Sequence, residues 1–431
     1  MSHLNNAGWE SAHDAANADL IIINSCGFIE SAKLESINAV LGWRKLYPNK
    51  KILLAGCLAQ RYSQDLAESL PEADGFFGVE DISRIASAAH DVCEGSIISH
   101  SSHNTGHRPL LSLPGSAYVK ISEGCNNRCS YCAIPLIRGG LVCRTIPDIR
   151  EECRALLERG IKELCLVGQD LGSYQSGGCG LPELLAEISS LPGQFWVRLL
   201  YIHPDHFPLA VLDIMERDGR FLPYFDIPFQ HSSAKILRAM NRNGSAESHL
   251  ALIETIRRRL PAAIIRSTFL LGFPGENEKD FCALVDFQDK ARLDWLGCFT
   301  YSREEDTPAW SLSGQVPQRA AERRKKIIEE RQVPITEHML DRFIGKRCDV
   351  LIEEKYHEDF TRGHRGTEDT EGMGDHIFSD NISPEYLGRL YCQAPEVDGI
   401  VLVSGCNNAQ PGDLVPCTVV GRRGFDLEVE A

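Results

Sequence analysis

Three thiols fall in one short run, Cys125-Asn126-Asn127-Arg128-Cys129-Ser130-Tyr131-Cys132, with the spacing Cys-x3-Cys-x2-Cys. Thiolates so placed can hold three irons of a 4Fe-4S cluster, which ordinarily takes four cysteines. The fourth iron is left open for a ligand. S-adenosylmethionine-dependent radical chemistry needs that arrangement: an electron source with a vacant position beside a cleavable sulfonium. Zinc is the competing reading. Zinc favours paired Cys-x2-Cys knuckles closed by a fourth Cys or His, and no second knuckle follows here. Two more thiols, Cys26 and Cys57, each come just after a short apolar run, Leu20 to Ile23 and Lys51 to Leu54. Ligands of open parallel sheets bind beyond the carboxyl ends of strands, so Cys26 and Cys57 are predicted to face one crevice as metal ligands. Burial as small residues is the alternative for both.

The elements that must position these thiols read as α/β. Through residue 108, strands at Leu20–Ile23, Lys51–Leu54 and Gly75–Gly78 alternate with helices predicted at Ser31–Leu46, Ser63–Leu70 and Ile82–Val92. Such alternation implies parallel pairing. Gly95 to Pro114 reads as a linker, being rich in Ser, His, Gly and Pro. From Ala117 to Ser313 six β/α units follow, with strands predicted at Tyr118–Ser122, Leu164–Gly168, Trp196–Tyr201, Tyr224–Ile227, Ile264–Leu271 and Trp295–Thr300. Polar loops after each strand mark a barrel whose site is its C-terminal face. Six units predict a partial, open barrel able to admit a bulky substrate.

Several residues on these loops are candidate cofactor contacts. Tyr131 precedes the third Cys and could border an adenine, or simply pack. Gln169 and Asp170 follow the second strand and could meet a methionyl amino group or a ribose, with a loop hydrogen bond the alternative. Arg198, inside a strand, needs a partner: a cofactor carboxylate or an internal ion pair. Gln230 and His231 could meet substrate or ribose, with a structural histidine the alternative. Gly272-Phe273-Pro274-Gly275 reads mainly as a turn. Cys143, Cys153, Cys165, Cys179, Cys282 and Cys298 have no ligand spacing and are expected to be packing or surface residues.

Arg319 to Arg331 reads as a charged helix with a solvated face, a phosphate contact being the alternative. Residues 343–431 have short strands between Gly/Pro turns and predict a small β-barrel, with a mobile insertion at Tyr356–Gly388. That part holds 8 Lys and Arg against 17 Asp and Glu. An acidic barrel repels phosphate backbones and attracts basic surfaces.

Composition sets outer bounds. A chain of 431 residues with 43% hydrophobic and 24% charged content is a globular protein of two or three domains. The polar Met1–Asp14 stretch has no signal core, and no apolar run of about eighteen residues occurs, so neither export nor a membrane span is expected. Sixteen cysteines without a leader point to a reducing cytoplasm. The net charge of −15 weighs against a broadly nucleic-acid-coating protein, leaving nucleic-acid contact secondary, and permits a basic protein partner.

Taken together, ADLIIINSCGFIESAK (18–33), AGCLAQRY (55–62), YVKISEGCNNRCSYCAIPLIRG (118–139), LVGQD (166–170), RLLYIHP (198–204), DIPFQH (226–231), LGFPGE (271–276), FTYSREEDTPAW (299–310) and APEVDG (394–399) resemble the radical S-adenosylmethionine methylthiotransferases over nearly the whole chain. The SEGC, QD, DIPFQH and FTYS variants look like the ribosomal-protein branch rather than the transfer-RNA branch. The resemblance implies three parts: a methylthiotransferase N-terminal domain (1–108), a radical barrel with its charged helix (115–342), and a TRAM-like β-barrel (343–431). It implies two 4Fe-4S clusters and S-adenosylmethionine. Cys125, Cys129 and Cys132 would hold the first cluster; Cys26 and Cys57 would partly hold an auxiliary cluster that supplies sulfur. It also implies a reducing protein electron donor, and as substrate the β-carbon of an aspartate in small-subunit ribosomal protein twelve. Family members carry a third N-terminal Cys upstream of an Asn-Ala-Gly-Trp segment. Here that segment is Asn6–Trp9, so the auxiliary site is expected to be incomplete within this sequence. A transfer-RNA methylthiotransferase, and a form lacking the auxiliary cluster, are the competing readings.

Overall fold

The computed structural model describes residues 2–12, 14–79, 81–94, 112–356, 384–406 and 408–431. Most of the predicted linker and of the predicted insertion lies outside these residues. Within the latter, however, Tyr386–Arg389 is a paired strand that belongs to the barrel and not to an insertion.

The N-terminal unit is a three-stranded parallel sheet, Leu20–Ser25, Lys51–Gly56 and Gly75–Phe77, in sequence order. Ile52, Leu53 and Leu54 are fully buried, as a β-branched and leucine run covered on both faces should be. The register places Ser25 opposite Gly56, so the two strands end side by side. The following loops touch backbone to backbone. A Cβ on Gly27 would stand 2.7 Å from the carbonyl oxygen of Cys57, and Gly56, at φ 113°, would place one 2.6 Å from that of Ser25. Only glycine fits both positions. The second helix starts at Cys57 and runs to Ser69, six residues earlier than predicted, because Gly56 turns the chain straight from strand into helix.

The central unit is a six-stranded parallel sheet: Ser116–Lys120, Glu163–Val167, Trp196–Leu199, Phe221–Asp226, Ile264–Leu271 and Trp295–Thr300, adjacent in chain order. Period-two alternation splits each strand between two environments. Val119, Leu164, Leu166, Val197, Leu199, Phe225, Ile265 and Phe269 point outward into one core with the helices. The inward-facing residues divide by height. Cys165, Trp196, Tyr224, Ile264 and Trp295 share a core with the C-terminal barrel, whereas Arg266, Thr268, Leu270 and Phe299 line a cavity above it.

The C-terminal unit is a closed five-stranded barrel of Arg347–Lys355, Tyr386–Arg389, Val401–Ser404, Asp426–Glu430 and Leu414–Arg423, in that spatial order. It floors the open central sheet. Trp295 Nε1 donates to the Cys392 carbonyl at 2.7 Å. Glu163, fully buried, accepts from Arg198 Nε at 2.7 Å and Arg389 Nη2 at 2.6 Å. The charged helix spans Gln318–Asp341 and continues through Pro334, longer than predicted. Its face is not wholly solvated: Arg324 is buried against Glu276 Oε1 at 2.8 Å. Among the described residues no helix is long and apolar enough to cross a membrane.

Candidate active site

The cavity above the floor measures about 1140 Å³, room for more than one bound group by the scale of ordinary ligand pockets. Cys125, Cys129 and Cys132 all line it. The loop that carries them has no regular hydrogen-bond ladder, so its backbone is pinned from outside. Ser130 N donates to Met240 O at 2.9 Å, and Ala309 N to Ser130 O at 2.8 Å. Asn241 Nδ2 donates to Arg128 O at 2.7 Å, and Asn127 Nδ2 to Asp170 Oδ2 at 2.9 Å. At the loop's start Gly124 has φ 75°, and a Cβ there would meet Gly140 O at 2.2 Å.

Burial pushes the Cys132 thiol up to about 12, with Cys129 and Cys125 adding repulsion, and burial also raises Cys125. Such thiols become ligands when a metal's positive charge displaces the proton. Among the described residues no three His, Cys, Asp or Glu side chains close around a single ion. Thiolates bound to separate irons of a cube stand farther apart than ligands of one ion, and three thiols on one cavity wall suit that donor set.

Tyr131 lines the cavity and accepts from Arg242 Nη1 at 3.4 Å, with its ring edge-on to Phe273. Gln169 and Gln230 line it too, Gln230 at φ 65°. Gly272 also borders it. Three predicted contacts stand elsewhere. Asp170 is buried beneath the wall and accepts from Asn127, Gly172 N, Ser173 and His203 N. Burial works to raise its pKa, but these bonds and one from His206 hold it low, so it organises loops instead of meeting a ligand. Arg198 is completely buried in the floor with Glu163, and its Nη1 donates to Tyr391 O at 2.9 Å. Its height on the strand puts it below the cavity; the internal ion pair is the correct reading. His231 is fully buried, its Nδ1 accepting from Ser232 N and Ser233 N, each at 2.9 Å. Burial lowers it to about 3, a neutral structural histidine.

Cys26 is exposed and Cys57 half-buried on the adjoining strand ends, and neither lines the cavity. Arg138, at the end of the short helix that follows Cys132, places Nη2 3.3 Å from Cys57 Sγ. Phe28–Ser31, just after Cys26, form part of the cavity rim. The N-terminal unit is held there by Glu304, only 2% exposed, which pairs with Lys33 at 2.9 Å and Arg61 at 2.8 Å.

Sequence reasoning missed Arg242, Arg266, Thr268, Arg138 and Glu304. Arg242 follows a helix, not a strand, and its Nη1 lies 3.7 Å from Cys129 Sγ. Arg266 and Thr268 had a usable signal: polar residues two apart on an otherwise apolar strand face inward together.

Comparison with known proteins agrees with this organisation. Residues 119–287 match the Radical SAM superfamily, residues 1–78 the Uncharacterized protein family UPF0004, and residues 376–431 a TRAM domain. The fold is shared with the radical S-adenosylmethionine methyltransferase TsrM of Kitasatospora setae, at a TM-score of 0.50 and 15% identity over 68% of this chain and 64% of that one. Domain content makes the chain a radical S-adenosylmethionine protein that carries a TRAM domain. Ribosomal protein uS12 methylthiotransferase RimO of Treponema denticola is 44% identical over 99% of this chain and 96% of its own length. RimO of Syntrophomonas wolfei is 39% identical over 99% and 94%. The chain belongs to the RimO family.

Proposed function

We propose that this protein adds a methylthio group to the β-carbon of an aspartate in ribosomal protein uS12. The observation that carries this reading is the convergence of Cys125, Cys129 and Cys132 on one wall of a cavity whose rim is completed by the loop after Cys26. When bound, a 4Fe-4S cluster and S-adenosylmethionine supply the radical and methyl chemistry. The chain's own residues bind, orient and enclose. Cys125, Cys129 and Cys132 ligate the cavity cluster, and Arg242 sets a positive charge beside Cys129. Asp170 and Asn127 fix the ligand loop from below. Tyr131, Gln169 and Gln230 present an aromatic face and two amides to the cofactor. Cys26 and Cys57 contribute ligands to an auxiliary 4Fe-4S cluster, with Arg138 between the two sites. Glu304 keeps the N-terminal unit over the mouth and water out.

We assign these roles to three units, residues 1–108, 115–342 and 343–431. The acidic balance of the last favours a basic ribosomal protein over transfer RNA. A reducing protein donates electrons, and the reaction takes place in the cytoplasm. Mass spectrometry of uS12 from cells lacking the gene tests the reading. Loss of the methylthio-aspartate signal, restored by the gene, is expected; an unchanged signal would overturn it.

A further inference from the structure

The C-terminal barrel does more than floor the central sheet. The loop between its strands Tyr386–Arg389 and Val401–Ser404 carries Asp398, which is almost completely buried inside the central unit. Asp398 Oδ2 accepts from Tyr224 Oη at 2.6 Å and from Ala394 N at 2.8 Å. Its Oδ1 lies 3.6 Å from Nε of Arg266. Nη1 of Arg266 donates to Asp226 Oδ2 at 3.1 Å. The guanidinium is therefore held at two of its three nitrogens by two carboxylates, one from the sheet and one from the barrel. Among the described residues nothing accepts from its Nη2, and Arg266 lines the cavity. A guanidinium fixed at Nε and Nη1, with only Nη2 left to donate, is built to meet an oxygen in a set place, because its planar fork loses little freedom on binding.

We propose that Arg266 is the cavity residue that recognises the substrate's carboxylate, and that Asp398, delivered by the C-terminal barrel, is the positioning residue that holds it. The inference rests on the reading that an acidic side chain enters the cavity. It gives the barrel a second task beside attracting a basic protein: its docking completes the substrate site. Tyr224 contributes from below by orienting Asp398.

The test is calorimetric binding of a uS12-derived peptide carrying the target aspartate, against the same peptide with asparagine, to the reconstituted full chain. The wild type is expected to prefer the aspartate peptide by about tenfold or more, the scale of one charge-assisted hydrogen bond. Arg266→Gln should erase the preference. Asp398→Asn should reduce it, and Tyr224→Phe, which removes only the hydroxyl, should reduce it less. Arg266→Gln combined with Asp398→Asn should be no worse than Arg266→Gln alone, since both act through one contact. Melting curves show whether each variant folds. A preference that survives Arg266→Gln would overturn the inference. So would an Asp398→Asn chain that weakens both peptides equally, and so would equal binding of the two peptides by the wild type. That last result leaves methylthiolation itself to be judged by uS12 in the deletion strain.

Discussion

The inward faces of the same six strands build two unlike regions. In the lower one charges are paired with charges: Glu163 takes Arg198 and Arg389, and Arg389 takes Glu353 at 2.5 Å. Burial works to raise Glu163, but Arg389 and Arg198 hold it down, to about 2. In the upper one polar groups line open space: three thiols, two glutamines, and Arg266, whose Nη2 has no acceptor among the described residues. The lower region is a joint between units and the upper one is a site. Position along the strand, not residue type, separates them, since an arginine serves both.

The comparison is broken most sharply at the thiols. Cys129→Ala should abolish methylthiolation and the cavity cluster's share of the visible absorbance while leaving the melting temperature nearly unchanged; anaerobic reconstitution followed by visible spectroscopy and melting checks both. Glu163→Gln should do the reverse. Removing one partner of a buried ion network strands the others and costs about 3–5 kcal/mol, read by denaturant unfolding, with iron content per folded chain unchanged. The same carboxylate gives a pH signature. Its pKa is depressed on folding, so its stabilisation is present above its ordinary value of 4.5 and is lost as pH falls toward about 2. The acid limb of the stability curve should flatten in Glu163→Gln.

Glu304→Gln tests the clamp across the mouth. Losing a buried charge that serves Lys33 and Arg61 should cost about 1–3 kcal/mol locally, seen as faster hydrogen exchange at residues 28–31 and 57–61 with the central sheet still protected. The smallest effect is expected from Asn127→Ala, about 1 kcal/mol for one hydrogen bond, read as slower cluster incorporation at unchanged final iron content.

Much of the fold was legible because each strand carries a short apolar run and each loop a polar one. Ile264–Leu271 and Trp295–Thr300 have the bounds read from sequence. The ligand loop was legible because its spacing is local. What sequence could not convey is depth. Arg198 and Arg266 are both arginines on inward strand positions. Only the barrel's docking, a contact between residues nearly two hundred apart in the chain for Arg198 and Tyr391, puts one in the floor and the other at the cavity. Asp170 and His231 stand at strand ends like true site residues, yet loops bend their side chains inward to backbone donors.

The claim on which the rest depends is that Cys125, Cys129 and Cys132 hold a cluster with one iron open to S-adenosylmethionine. Electron paramagnetic resonance of the reduced, anaerobically reconstituted chain, with and without S-adenosylmethionine, tests it beside iron counting on Cys125→Ala/Cys129→Ala/Cys132→Ala. The account predicts a cluster signal that S-adenosylmethionine perturbs in the wild type, and loss of that signal with about four irons in the variant. A variant that kept the S-adenosylmethionine-sensitive signal would contradict it.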